Sequence, residues 1–258
     1  MTGRTRLHSL LNAAIRACAA IALATLICAG GVAAQERAGD YGAIVAAPDR
    51  SDADRQTDAR RDPLKLLAFS GVRPGMKVLD MGAGGGYSSE LLARAVAPSG
   101  TVYAQNSAAL GERAKARFEA RLKTPAGKNI VALVRPFDDP VPADVHDLDL
   151  VTFLFFYHDT TYMAVDRTAM NRALYAALKP GGLLVIADHS ARKGDGTAVG
   201  TTLHRIEESA LRAEVEAAGF KLVQEGNFWR HPEDKRDFSV QPPGKPVDEF
   251  VLKFQKPM

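Results

Sequence analysis

The run Val78-Leu79-Asp80-Met81-Gly82-Ala83-Gly84-Gly85-Gly86-Tyr87 constrains this chain more than any other. Val78, Leu79 and Met81 read as a short buried strand with Asp80 at its end, and residues 88–96 read as a helix. Gly82, Gly84 and Gly86 allow a sharp turn between the two. A turn of this kind brings backbone amides close to a ligand and aims a helix N-terminus at it. It does not fit the dinucleotide fingerprint. That pattern needs glycine or alanine three places after its second glycine, where Tyr87 stands when the count starts at Gly82.

Beyond the turn, apolar runs at 77–81, 101–105, 130–135, 148–155 and 183–187 read as strands. Helical patterns lie between and after them at 88–96, 108–122, 164–178 and 207–218. The alternation predicts an α/β fold, a doubly wound and mostly parallel sheet with helices on both faces. Residues 220–227 and 249–254 are strand-like with no helix between them, which predicts a C-terminal antiparallel pair and seven strands in all. Asp62-Pro63 reads as a helix N-cap with proline in the first turn, and Gly71 as the stop of that helix. Residues 48–61 are dense in alternating charge, the pattern of a solvated helix face.

The N-terminal end has the form of an export signal. Arg4, Arg6 and Arg16 make a basic front, 17–26 is apolar, and Val32-Ala33-Ala34 ends in the small residues of a cleavage site. The apolar stretch is short for a membrane span, so no stable membrane anchor is expected once residues 1–34 are removed. The mature chain would start at Gln35 in a periplasmic or secreted setting. Both cysteines, Cys18 and Cys28, would leave with the signal, excluding a disulfide, a thiol nucleophile or a cysteine metal site. Basic and acidic side chains would then be equal in number, which removes the charge argument for a nucleic-acid partner. Residues 35–62 are expected as a leader followed by the charged helix.

The order acid-x-Gly-x-Gly-x-Gly at Asp80–Gly86 resembles motif I of the class I S-adenosylmethionine-dependent methyltransferases. Phe156-Tyr157-His158-Asp159, Leu178-Lys179-Pro180-Gly181-Gly182, Asp188-His189-Ser190-Ala191 and Leu203-His204-Arg205-Ile206 resemble a subgroup of bacterial methyltransferases that carry export signals. The resemblance covers residues 63–258 and implies a methyltransferase-like domain with S-adenosyl-L-methionine as cofactor. It implies a methyl-donor site at Asp80, Gly82, Gly84 and Gly86, with Asn106 at the ribose where the family commonly has an acid. An amide there lacks the charge-assisted bond of a carboxylate. Phe137 and Asp138 fall where the family meets the adenine, with Asp139 as a near alternative.

Methyl transfer from a sulfonium is an in-line displacement, so the protein's main task is alignment. A base is needed only where the acceptor must lose a proton. Catalytic candidates should lie at the carboxyl ends of the parallel strands. His158 after the fourth strand is the first choice as general base, with His189 and His204 to bind or orient a small-molecule acceptor. His158, Asp159, Asp188, His189 and His204 are suitable metal ligands, but they lack a close spacing such as His-x-x-x-His, and no metal is expected. Asp188-His189-Ser190 cannot orient as a triad, being adjacent, and there is no Gly-x-Ser-x-Gly elbow. Residues 230–247 with Trp229 would form a lid. A non-catalytic periplasmic ligand-binding protein on the same fold is the alternative reading.

Overall fold

The computed structural model describes residues 41–242 and 244–258; the expected signal segment and the start of the leader lie outside them. Strands β1 (Lys77–Met81), β2 (Thr101–Asn106), β3 (Ile130–Val134), β4 (Leu148–Leu154), β5 (Leu178–His189), β6 (Lys221–Gly226) and β7 (Glu249–Gln255) form one sheet in the order β3-β2-β1-β4-β5-β7-β6. The first five run parallel. β7 lies antiparallel between β5 and β6. The sheet is therefore the mixed seven-stranded α/β architecture expected, with its antiparallel pair at the C-terminal end.

The helices are α1 (Tyr41–Val45), α2 (Asp52–Arg61), α3 (Pro63–Ser70), α4 (Tyr87–Val96), α5 (Glu112–Leu122), α6 (Arg167–Ala177), α7 (Gly200–Leu203) and α8 (Glu208–Ala217). Two apolar cores cover the two faces of the sheet. The pleat divides β1 between them, with Val78 in one and Leu79 and Met81 in the other. Leu67, Leu91 and Trp229 belong to the first core; Leu174, Leu211 and Phe250 belong to the second.

Three expectations change. Part of the leader is the helix α1, and the Tyr41 hydroxyl donates to the Val72 carbonyl at 2.6 Å. The charged run is only in part a solvated face: Asp49, Asp52 and Arg60 are exposed, but Arg50 and Asp54 are only 4% and 7% exposed. Arg50 forms a two-pronged ion pair with Asp58, and Arg121 of α5 does the same with Asp54 while also meeting Glu90 of α4. Matched partners on the neighbouring helices make this burial tolerable. The Lys-Pro-Gly-Gly run lies inside β5 rather than ahead of it. Leu178 pairs with Leu148 and Leu183 with Leu150, so the residues between them bulge out of the ladder.

Candidate active site

The glycine turn is held from below and from the side. Asp80 is buried, and its carboxylate accepts hydrogen bonds from the hydroxyls of Ser88, Ser89 and Thr152 at 2.6–2.7 Å. It ties the first turn of α4 to β1 and β4, and so shapes the loop from beneath. From β2, Gln105 accepts from the Gly82 N–H at 3.0 Å. Asn106 accepts from the Gly84 N–H at 2.8 Å and donates back to the Gly84 carbonyl at 3.2 Å. Gly82, Gly84 and Gly86 all have positive φ, a region that side chains disfavour. A Cβ at Gly84 would meet nothing closer than the Gly82 carbonyl at 4.0 Å, so the crest of the turn is open. Ala83, Gly85 and Tyr87 border a cavity of about 600 Å³ that α2 and α5 close with Thr57 and Arg117.

Phe137 is buried after β3 and stacks on Phe156, centroids 5.0 Å apart. A planar base between two rings needs roughly 7 Å, two contacts of about 3.5 Å. The two rings can therefore flank an adenine only by parting. Asp138 is half-buried beside Phe137 in the chain, while Asp139 is exposed and paired with Arg135.

A larger cavity of about 840 Å³ lies where β4 and β5 end, with residues 240–242 and 244–247 among its lining. Phe155 leaves β4 in the left-handed region (φ 60°) and turns the chain toward His158. Its ring packs 5.2 Å from Trp229 and 5.1 Å from His189, and the Arg61 guanidinium lies 3.3 Å over it. Arg61 comes from the last turn of α2. Its nearest carboxylate is Glu249 at 4.0 Å, and its buried Nη1 has no hydrogen-bond partner among the described residues. Burial pulls its pKa down to about 10. Arg61, Trp229 and Glu249 were not catalytic candidates in the sequence. Arg61 looked like one more charge on a solvated helix.

The three candidate histidines come together, with His158 5.6 Å from both His189 and His204 between ring centroids. Their states differ. Burial works against the charged form of His158, but the Asp188 and Asp159 carboxylates outweigh it and raise its pKa to about 10. With nothing bound, the two carboxylates favour the charged form of His158, so it is held less free to act as a base than its position predicts. His189 is the reverse case. Burial lowers its pKa despite Glu249, whose Oε1 lies 3.0 Å from Nδ1 but off the line of a hydrogen bond. It is a neutral imidazole lining the larger cavity, able to accept a proton. His204 sits outside that lining, its Nδ1 3.3 Å from Asp159.

A family profile described as a methyltransferase domain matches residues 51–225, which span the glycine turn, all three histidines and most of the sheet. This chain belongs to that methyltransferase family. The ubiquinone/menaquinone biosynthesis C-methyltransferase UbiE of Shewanella sp. (strain W3-18-1) is 29% identical to it over 124 residues, 48% of this chain and 47% of that protein. The methyltransferase thus spans about half the length of the curated relatives it matches. Among solved structures, a SAM-dependent methyltransferase from Aquifex aeolicus superposes with a TM-score of 0.58 at 20% identity, covering 84% of this chain and 98% of its own. A putative sarcosine dimethylglycine methyltransferase from Galdieria sulphuraria gives 0.56 at 18%, covering 79% and 88%. These likenesses are of fold.

S-adenosylmethionine is the cofactor of this methyltransferase. The residues present fit it. The turn leaves its crest open at Gly84, and Asn106 stands against that crest with an amide that can both donate and accept. When bound, the donor supplies an electrophilic methyl on a sulfonium. Asn106 and the glycine turn would hold it.

Proposed function

We propose that this methyltransferase moves a methyl group from S-adenosylmethionine to a small planar acceptor bound in the 840 Å³ cavity. The observation that carries the reading is the wall of that cavity. Phe155 and Trp229 give it an aromatic lining suited to a planar molecule, and Arg61, stacked on Phe155, offers a cation to an anionic or ionisable group on it. His189, neutral and buried, takes the acceptor's proton where one must leave, and alignment supplies most of the rest. The Shewanella relatives are named for C-methylation in ubiquinone and menaquinone biosynthesis, which is in keeping with a planar acceptor.

The test is acceptor-dependent release of the demethylated donor, followed by mass spectrometry with an isotope-labelled methyl group across a panel of phenols and aromatic acids. Labelled product should form with wild type. His189→Ala should lower turnover roughly 10²- to 10⁴-fold while donor binding persists. Donor binding with no acceptor-dependent release across the panel would overturn the reading.

The basic front, apolar run and Val32-Ala33-Ala34 site also support export, with the protein working outside the cytosol. Mass spectrometry of protein from the periplasmic fraction should find a chain beginning near Gln35. An intact N-terminus in a cytosolic fraction would remove this part of the proposal.

A further inference from the structure

Beside the larger cavity, three side chains converge in a way that methyl transfer does not require. His158 Nε2 lies 3.2 Å from Asp159 Oδ1, and His204 Nδ1 lies 3.3 Å from the same oxygen. One ligand atom from each residue falls within 4.8 Å of both others. Bonds of about 2.05 Å directed to the corners of a tetrahedron set ligand atoms about 3.3 Å apart. Two of the three edges already have that length.

The support behind these residues is that of a metal site. His158 Nδ1 is bonded to Asp188 Oδ1 at 2.7 Å, and the fully buried Asp188 is fixed by the backbone N–H groups of His158 and His189, each at 2.8 Å. A carboxylate behind a histidine sets the ring's orientation and strengthens it as a ligand. That leaves Nε2 buried and without a hydrogen-bond partner among the described residues. His204 is presented in the left-handed region (φ 52°), a conformation that costs free energy and persists where the surroundings impose it. Its helix is pressed against the His158 segment. A Cβ at Gly200 would come within 2.3 Å of Thr161 Oγ1 and 2.9 Å of the His158 carbonyl, so the two ligand-bearing segments are fixed against each other. The Tyr162 hydroxyl donates to Asp159 Oδ1 and steadies the third ligand.

We propose that His158 Nε2, the Asp159 carboxylate and His204 Nδ1 bind one divalent first-row metal ion, the ion displacing any proton on Nε2 to solvent, with zinc best suited to this two-nitrogen, one-oxygen donor set. Three protein ligands leave a position for water or substrate, as in catalytic rather than structural sites. Because His158 also lines the 840 Å³ cavity, a hydroxyl or thiol of the acceptor could take that position. Only this last point rests on the acceptor reading; ion binding does not.

The experiment is titration of the full chain with Zn²⁺ and Co²⁺ after chelation and dialysis, with metal content measured by elemental mass spectrometry. One ion per chain and a visible ligand-field band with Co²⁺ are expected. Asp188→Asn, which keeps the size of the side chain behind His158, should weaken binding roughly 10- to 100-fold, and His204→Ala at least as much. His146→Ala, an exposed histidine paired among the described residues with its neighbour Asp147, should bind as wild type does. A wild-type chain without stoichiometric Zn²⁺ or Co²⁺, whatever the variants do, would overturn the proposal. So would equal affinities in His204→Ala and His146→Ala.

Discussion

Asn106 has a second task beside the one its position in the sequence suggests. A residue at the end of β2 is expected to reach a ligand, yet its amide spans the Gly84 peptide, accepting from the N–H and donating to the carbonyl. A carboxylate could make only the first of these bonds. The amide that looks like a weaker version of the family's acid is thus matched to the loop beside it. Asn106→Ala should leave a part-buried N–H and carbonyl unpaired and destabilise the fold by about 1–3 kcal/mol, in addition to weakening donor binding. Asn106→Asp should also lose stability, since an ionised oxygen would face the Gly84 carbonyl. Thermal unfolding without ligand checks both. An unchanged melting temperature in both variants would show that the Gly84 contact carries no stability, leaving Asn106 only a ligand-facing role.

Among the elements, α2 shows where reading the sequence stops. Its charges are plain, but their partners are not local, since Asp54 and Arg121 are far apart in the chain and meet only when α5 has packed. Strands fared better because apolar runs between turns are local signals, and each expected strand of the parallel part has its counterpart. The Lys-Pro-Gly-Gly run misled because a bulge keeps strand pairing on both sides of it. Asp54→Ala would remove one of the two carboxylates that hold the Arg121 guanidinium, leaving Glu90, and should cost about 1.5–3 kcal/mol, measured by denaturant unfolding. The acid response follows from the same pairs. Arg121 holds the Asp54 carboxyl below its usual range against the effect of burial, and Arg50 does so for Asp58. Their contribution is therefore complete above about pH 4 and is lost as pH falls through the depressed folded values. Wild type should lose stability over that interval more steeply than Asp54→Ala.

At the scale of the whole molecule, the candidate site draws on α2, β4, β5, α7 and β7, with Arg61 and Glu249 almost at opposite ends of the described chain. The glycine turn was legible because it is contiguous. The cavity wall was not, because only the sheet order brings Arg61, Phe155, His189 and Glu249 together. The residues of the histidine and aspartate cluster were named as suitable metal ligands but set aside for the same reason, as no spacing rule links residue 204 to residues 158 and 159. The sheet order also makes a prediction about truncation. Deleting residues 249–258 removes Phe250, Leu252 and Phe254 from the core and leaves β6 without a neighbour. That chain should be insoluble or lack cooperative unfolding by circular dichroism. A cooperative transition near the wild-type temperature would contradict it.

The place of β7 between β5 and β6 has a temporal side. Synthesis runs from β1 to β7, but pairing cannot follow that order at the end. When β6 leaves the ribosome, the strand it will join does not yet exist, and the edge of β5 stays uncovered for as long as the intervening residues take to appear. The sheet closes only after β7 has been made, so its antiparallel end is the last part of the fold that can be completed.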